Sequence, residues 1–285
     1  MMKIDNLDEL IKTALAEDIG DGDHSTLACI PPDAVGAARM VAKQAGIVCG
    51  TEVGERVFAL VDGSLKVTVM KHDGEPVAVG DTVMTVEGHS GSILTAERTV
   101  LNFMQRLSGI ATETSRMVQM LDGLDTKLLD TRKTTPNMRL LEKYAVHCGG
   151  GTNHRIGLYD MVMLKDNHID FAGGIEQAID RTRQYLKEKG KALKIEIEVR
   201  SLDELQRVLD HGGVDRIMLD NFDLATLREA VRRIKAWPVR YETEASGGIN
   251  DSTLRPYAET GVDYISVGAL THHIKSLDLS LVSIK

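Results

Sequence analysis

The chain has 285 residues, of which 42% are hydrophobic and 27% charged, and a formal net charge of -8. Such values fit one barrel-sized globular unit with a smaller appendage and exclude a largely disordered chain. An acidic chain lacks the broad basic face of a nucleic-acid binder, and no apolar run has transmembrane or signal-peptide character, so a cytoplasmic protein with neither nucleic-acid nor membrane partners is expected.

The spacing of Leu7, Leu10, Ile11, Ala14 and Leu15 predicts an amphipathic first helix, ended by the glycine-rich IGDGDHS. From about Ala37 to Thr85 the pattern predicts short strands and tight turns, a small β-rich domain. A helix from about Thr95 to Leu121 follows, expected to bend or break at Ser108-Gly109 and to link two domains. Cys29, Cys49 and Cys148 are too few and too scattered for a disulfide framework or a zinc knuckle, and read as reduced packing residues.

Beyond Thr126 short apolar runs alternate with helical patterns, the mark of βα units around a parallel sheet. The predicted strands are Lys127–Asp130, Met161–Lys165, Leu193–Val199, Arg216–Leu219, Val239–Thr243 and Tyr264–Val267. Thr135-Pro136 predicts a helix start, and Ser201 to Glu204 a capping box. Six clear units, with a less obvious seventh, are fewer than a closed barrel needs, which points to an incomplete α/β barrel. Arg132 and Lys133 follow the first strand, Lys165 and Asp166 close the second, and Glu198 lies near the end of the third. Asp220, Glu244 to Gly248, and Gly268 follow the other three. Carboxyl ends of parallel strands share one mouth, where barrel enzymes build their sites.

The stretch from Asp130 to Asp170 concentrates Arg132, Lys133, Arg139, Lys143, Arg155 and Lys165, with His147, His154 and His168 between them. In an acidic chain this reads as a pocket for a polyanion, the alternative being a solvated stripe. Glu196 and Glu198 share one face of a strand, and with Asp220 form either a site for a hard divalent ion or a buried salt-bridge network. EASGGI, Glu244 to Ile249, precedes a helical segment near Asp251 and offers amides to phosphate, as does SVGAL, Ser266 to Leu270. Gly149-Gly150-Gly151 reads as a helix end, and His272-His273 lacks the further ligands of a zinc site.

ERTVLN, LSGIAT, DTRKTTP, LEKYAV, GGGTNHR, LKDNHI, IEIEV, MLDN, EASGGI and ISVGALTH occur in the order and spacing of one family. The chain resembles the quinolinate phosphoribosyltransferases, also called carboxylating nicotinate-nucleotide pyrophosphorylases, over nearly its whole length. The resemblance implies magnesium-dependent transfer of the phosphoribosyl group of phosphoribosyl pyrophosphate to quinolinate. Nicotinate mononucleotide, pyrophosphate and carbon dioxide result, at the entry to NAD biosynthesis. It implies an N-terminal α+β open-sandwich domain, residues 1–112 with 275–285 packed on it, and a seven-stranded incomplete α/β barrel over residues 113–274. It also implies a homodimer with shared sites, either on its own or as the unit of a hexamer. Arg98, Arg132, Lys133, His154, Arg155 and Lys165 match the quinolinate side, Arg98 being donated by the neighbouring subunit. Lys165, Glu198, Asp220, Ser246, Gly247, Gly248, Gly268 and His272 match the phosphoribosyl pyrophosphate side. The catalytic set is Lys133, Lys165, Glu198 and Asp220, with Glu198 and Asp220 also toward magnesium, directly or through water. Asn137 departs from the family, which often has glycine there.

Three other readings compete. A paralogue associated with molybdenum transport would act on another acceptor. A Schiff-base aldolase would use Lys165 as nucleophile. A carrier module would use Met70-Lys71 as an attachment site, since VMKHDGEPVAVGDTV faintly resembles a lipoyl domain.

Overall fold

The computed structural model describes residues 6–284. The chain runs α1 (Leu7–Ile19), α2 (His24–Cys29), β1 (Val35–Ala42), β2 (Gly46–Ile47), α3 (Thr51–Val61), β3 (Lys66–Val69), β4 (Pro76–Val77) and β5 (Thr82–His89) into the long α4 (Ser90–Gln119). Next come β6 (Lys127–Leu129), α5 (Arg139–Cys148), β7 (Val162–Leu164), α6 (Asp166–Ala172), α7 (Ile175–Glu188), β8 (Ile195–Val199) and α8 (Leu202–His211). The remainder is β9 (Arg216–Asp220), α9 (Leu224–Ala236), β10 (Glu242–Ser246), α10 (Asp251–Ala258), β11 (Tyr264–Ser266), α11 (Ala269–His272) and β12 (Leu279–Ile284). Two compact units result: one takes the chain up to Arg116, Thr134–Gly150 and the chain from Ala269, the other Met117–Lys133 and Gly151–Gly268.

The first unit holds an antiparallel sheet in the order β12-β1-β5-β3 and a two-stranded ribbon of β2 and β4. On β1, Ala38 and Met40 are buried while Arg39 is exposed, the period-two alternation of a sheet with one packed face, which ends where the register shifts between Met40 and the buried Val41. The expected run of short strands and tight turns from about Ala37 to Thr85 is corrected by α3, whose Val53, Val57 and Phe58 are buried at helical spacing. Its first N–H is taken by Asp73 at 2.9 Å, an anion where helix dipoles favour one.

The expected break in α4 is also corrected, because the helix passes Ser108 and Gly109 without interruption. Both small residues serve contacts instead. Ser108 Oγ accepts the Cys49 N–H at 2.9 Å, and a Cβ on Gly109 would lie 2.3 Å from the Lys275 carbonyl oxygen. Helix α5 starts at Arg139 rather than at Thr135-Pro136, since the Thr135 carbonyl accepts the Met138 N–H in a turn. Asn137 has φ 64° in that turn, a left-handed conformation that glycine and asparagine adopt at least cost, which accounts for their exchange at this position.

The second unit is a parallel sheet in the order β6-β11-β10-β9-β8-β7, with a single bridge from Leu129 to Thr152 on the free side of β6. It is an α/β barrel left incomplete, and the Gly151–Asn153 segment stands in the place of the weak seventh strand. All of β8 is buried, as expected for a strand covered on both faces. Ser201 caps α8 by accepting the Glu204 N–H at 3.1 Å, while the Glu204 carboxylate turns to the Arg200 N–H rather than closing the box. Four strands fall within one residue of the expected bounds, and β8 starts two residues later than expected, at Ile195. β10 starts three residues later than expected, because Val239 is exposed and Thr243 is the residue tied to Asp263, through its N–H and its hydroxyl at 2.8 Å each. No helix among the described residues is long and apolar enough to cross a membrane.

Gly109→Ala is expected to lower stability by about 1–3 kcal/mol through overpacking against backbone, read as a lower midpoint in denaturant. A substitution that leaves the midpoint unchanged would show that the close approach of α4 and the Lys275 segment is not needed.

Candidate active site

The parallel sheet orders the polar residues. Asp220 and Ser246, the last residues of β9 and β10, are register partners, and Glu198 is one residue from the end of β8. Arg132 and Lys133 follow β6, Lys165 follows β7, and Gly247, Gly248 and Gly268 follow β10 and β11. The second unit therefore gathers these nine expected site residues in one rim of strand ends. Arg98, exposed on α4, and His272, exposed at the end of α11, belong to the first unit. So do Arg139, whose Nε donates to Thr134 Oγ1 at 3.1 Å, and Lys143, which is fully buried in α5. The basic stretch of the sequence is thus divided between the two units.

Below the rim lies a layer of buried charge. His154 Nε2 stands 3.0 Å from Glu196 and 3.2 Å from Glu244, and Arg216 Nη1 donates to Glu244 at 3.1 Å. Glu196 is therefore not grouped with Glu198 and Asp220 as expected; strand alternation put both glutamates on one face, but their depths along β8 give them different partners. Burial, followed by the Glu244 charge, lifts Glu196 to about 7, whereas Glu244 itself is held below its ordinary range by His154 and Arg216 despite complete burial. The Arg155 N–H donates to His154 Nδ1 at 2.6 Å, which places the imidazole proton on Nε2, facing the carboxylates. His154 thus supports Arg155 from beneath.

The rim is cationic. Arg155 is pushed below its ordinary value, first by burial and then by the charge of Arg132. Arg132 Nε is buried without a hydrogen-bond partner, a costly state for a guanidinium N–H that an incoming carboxylate relieves. Lys165 Nζ donates to Glu198 at 3.2 Å. Burial raises Glu198, and Lys165 opposes the rise while Asp220 and Asp166 add to it. Carboxylates crowded in this way suit a hard cation such as magnesium. Glu198 and Asp220 belong to neither of the three-ligand clusters found among the described residues.

The glycine turn after β10, expected to offer amides to phosphate, is shaped by residues that sequence reasoning left aside. Gly247 has φ 100° and Gly248 φ 61°, and a Cβ on Gly247 would fall 2.2 Å from Asn221 Oδ1. Asn221, itself at φ 55°, donates its N–H to the Ser246 carbonyl at 2.9 Å and its Nδ2 to Asp220 Oδ2 at 2.5 Å. It therefore fixes Asp220 against the turn. Asn250 caps α10 by accepting the Ser252 N–H at 3.0 Å. Asp130, fully buried after β6, accepts the His154 N–H at 2.8 Å and Asn153 Nδ2 at 2.7 Å, holding that segment under the rim. The signals were present as the polar residues of MLDN and DTRKTTP. His168, by contrast, caps α6, its Nδ1 accepting the Lys165 N–H at 3.1 Å. A separate cavity of about 550 Å³, lined by Lys127, Lys235, Arg240 and Tyr264 among others, contains none of the expected site residues.

Because Glu196 has its folded pKa above its unfolded value, the folded state holds the proton longer, so stability is lost as pH rises from about 4.5 to about 7. The loss attributable to this group is on the order of 3 kcal/mol. Glu196→Gln is expected to flatten the pH dependence of the melting midpoint in that window relative to wild type. Parallel profiles for the two proteins would remove the proton from Glu196.

Two family models match: quinolinate phosphoribosyl transferase, N-terminal domain, over residues 23–108, and its C-terminal domain over residues 110–282. The chain is 45% identical over 291 aligned positions to quinolinate phosphoribosyltransferase [decarboxylating] 2b, mitochondrial, of Nicotiana tabacum, covering 97% of this chain and 82% of that protein. It is 42% identical to the probable nicotinate-nucleotide pyrophosphorylase [carboxylating] of Bacillus subtilis (strain 168), covering 96% of this chain and 92% of that one. The solved nicotinate-nucleotide pyrophosphorylase of Francisella tularensis superposes with a TM-score of 0.91 at 40% identity, over 99% of this chain and 98% of the other. With the fold, the strand-end site and these matches in agreement, the chain belongs to the quinolinate phosphoribosyl transferase family.

Proposed function

We propose that this chain transfers the phosphoribosyl group of phosphoribosyl pyrophosphate to quinolinate and releases pyrophosphate and carbon dioxide, leaving nicotinate mononucleotide for NAD biosynthesis. The observation that carries the reading is the unsatisfied, buried Arg132 Nε beside Arg155 at the carboxyl ends of a parallel sheet. Quinolinate presents two adjacent carboxylates on a flat ring, and planar guanidiniums bind carboxylates bidentately. Arg132 and Arg155 take these carboxylates, with Lys133 exposed next to them and His154 holding Arg155 from below. Ser246, Gly247, Gly248 and Gly268 face the phosphates of the other substrate with hydroxyl and amide donors.

Lys165 stands between the two substrates and is tied to Glu198. As pyrophosphate leaves, positive charge grows on the ribose carbon, and the carboxylates of Glu198 and Asp220 stabilise it. The same two residues would hold a magnesium ion, which supplies positive charge against the departing pyrophosphate when bound. The ring nitrogen attacks with its own lone pair, so the site contributes position rather than a strong base. The product ring is a pyridinium, which withdraws electrons from the bond to the adjacent carboxylate. Carbon dioxide departs, and the ring carbon takes a proton.

The reading includes a homodimer in which Arg98, exposed on α4, completes the partner's quinolinate site. It also includes a cytoplasmic enzyme, although some plant relatives carry mitochondrial or chloroplastic in their names. The intact Lys165–Glu198 pair supports a charged ammonium over the neutral amine of a Schiff-base nucleophile. Lys71, the attachment residue of the carrier reading, is engaged with Asp81 at 3.5 Å.

Incubation with phosphoribosyl pyrophosphate, magnesium and either quinolinate or nicotinate, followed by mass spectrometry, tests the activity. Nicotinate mononucleotide and carbon dioxide are expected from quinolinate alone; no product from a folded protein would contradict the assignment. Arg132→Ala and Arg155→Ala are each expected to raise KM for quinolinate by roughly tenfold or more and to change KM for phosphoribosyl pyrophosphate less. Equal loss toward both substrates would remove these arginines from the quinolinate side. Mixed Arg98→Ala and Lys165→Ala subunits are expected to regain part of the activity, and no recovery after proven subunit exchange would sink the shared site.

A further inference from the structure

Cys49 and Cys148, far apart in sequence, meet in the interior of the first unit. Their Sγ atoms and a carboxylate oxygen of Asp73 all lie within 4.8 Å of one another. Cys49 is fully buried between β2 and α3, with its N–H held by Ser108 at 2.9 Å; Cys148 ends α5 and is partly exposed. All three thiols are free, as expected, and Cys49 is a packing residue, whereas Cys29 is exposed and donates to the Ser25 carbonyl. Asp73 is already engaged through both oxygens. Oδ1 accepts the Thr51 N–H at 2.9 Å and its hydroxyl at 2.8 Å, and Oδ2 accepts the Tyr144 hydroxyl at 2.8 Å. Its work is to anchor α3 and α5, which leaves the two sulfurs facing each other.

We propose that Cys49 and Cys148 form a reversible redox modification site that a small peroxide oxidises to a disulfide. Closing the bond brings the sulfurs to about 2 Å, a short movement from their present separation. In the first step the Cys148 sulfur attacks a peroxide oxygen, the O–O bond breaks, and a sulfenic acid and water result when hydrogen peroxide is the oxidant. The Cys49 sulfur then attacks Cys148, displacing the hydroxyl, which leaves as water with the Cys49 proton. Two thiols lose two electrons and the peroxide gains them. The division of labour follows from the surroundings. The Cys49 thiol first, and Tyr144 after opposing burial, hold Cys148 below its ordinary value, whereas the contact with Cys148 and burial push Cys49 well up.

The bond would tie the end of α5 to the segment before α3. In the chain, α5 is preceded by Arg132 and Lys133 and followed by His154 and Arg155. A constraint on this helix bears on both cationic segments of the proposed quinolinate side, so oxidation lowers activity. That consequence rests on the proposed function, but the bond itself does not.

The full chain carrying Cys29→Ser, treated with hydrogen peroxide, alkylated and digested without reductant, is expected to give a Cys49–Cys148 linked peptide and an intact mass about 2 Da lower, both reversed by dithiothreitol. Further substitution of Cys49→Ser is expected to abolish the link and leave a sulfenic acid at Cys148 that dimedone traps. Peroxide that oxidises Cys148 without linking it to Cys49 would overturn the proposal, as would stoichiometric zinc that protects both thiols from alkylation. In the product assay the linked protein is expected to lose roughly fivefold or more in kcat/KM for quinolinate, with recovery on reduction and no peroxide loss in the Cys49→Ser variant. Full activity in fully linked protein would overturn the control of catalysis, and an absence of product from the untreated, reduced protein would instead point to the proposed function.

Discussion

Two half-buried guanidiniums close enough for one charge to depress the other repel, and an anion bound upon them would relieve that cost. Arg132 and Arg155 are in that position, one with an unsatisfied N–H and the other pushed down by its neighbour's charge. Free-standing, the pair is a cost to the fold. The parallel sheet makes it possible by delivering the ends of β6, β7 and the segment after Thr152 to one rim, so that residues distant in sequence share one small space. The rest of the site follows from managing that charge.

Beneath the rim the sign reverses. His154, Glu196, Glu244 and Arg216 form a buried layer with alternating character, and the backbone of Arg155 is bonded directly to its imidazole. Glu196 holds its proton to about pH 7, which limits the number of bare carboxylates in an apolar interior. At the ends of β9 and β10, Asn221 takes on two duties at once: it blocks any side chain at Gly247 and keeps Asp220 turned to the glycine turn.

Much of this was legible in the sequence because strand-end position is a local property. An apolar run followed by a charged or glycine-rich turn places Arg132, Lys165, Asp220 and Gly247 without any knowledge of packing. What failed depended on distant partners. Helix α3 was hidden by β-branched residues that favour strands, Gly109 was taken as a break because the Lys275 carbonyl that needs its flat surface is far away in the chain, and β10 was placed too early because its anchor is Asp263. Glu196 shared a face with Glu198, yet depth along the strand, which alternation does not encode, sent it to His154. The meeting of Cys49 and Cys148 had no local signature at all.

Calorimetric titration of the reduced protein with quinolinate and, separately, with nicotinate, which lacks one of the two adjacent carboxylates, tests the central claim most directly. Recognition by the Arg132 and Arg155 guanidiniums predicts clearly tighter binding of quinolinate, by roughly tenfold or more, with the difference lost in Arg132→Ala. Equal affinity for the two ligands, or a preference that survives removal of Arg132, would contradict the account.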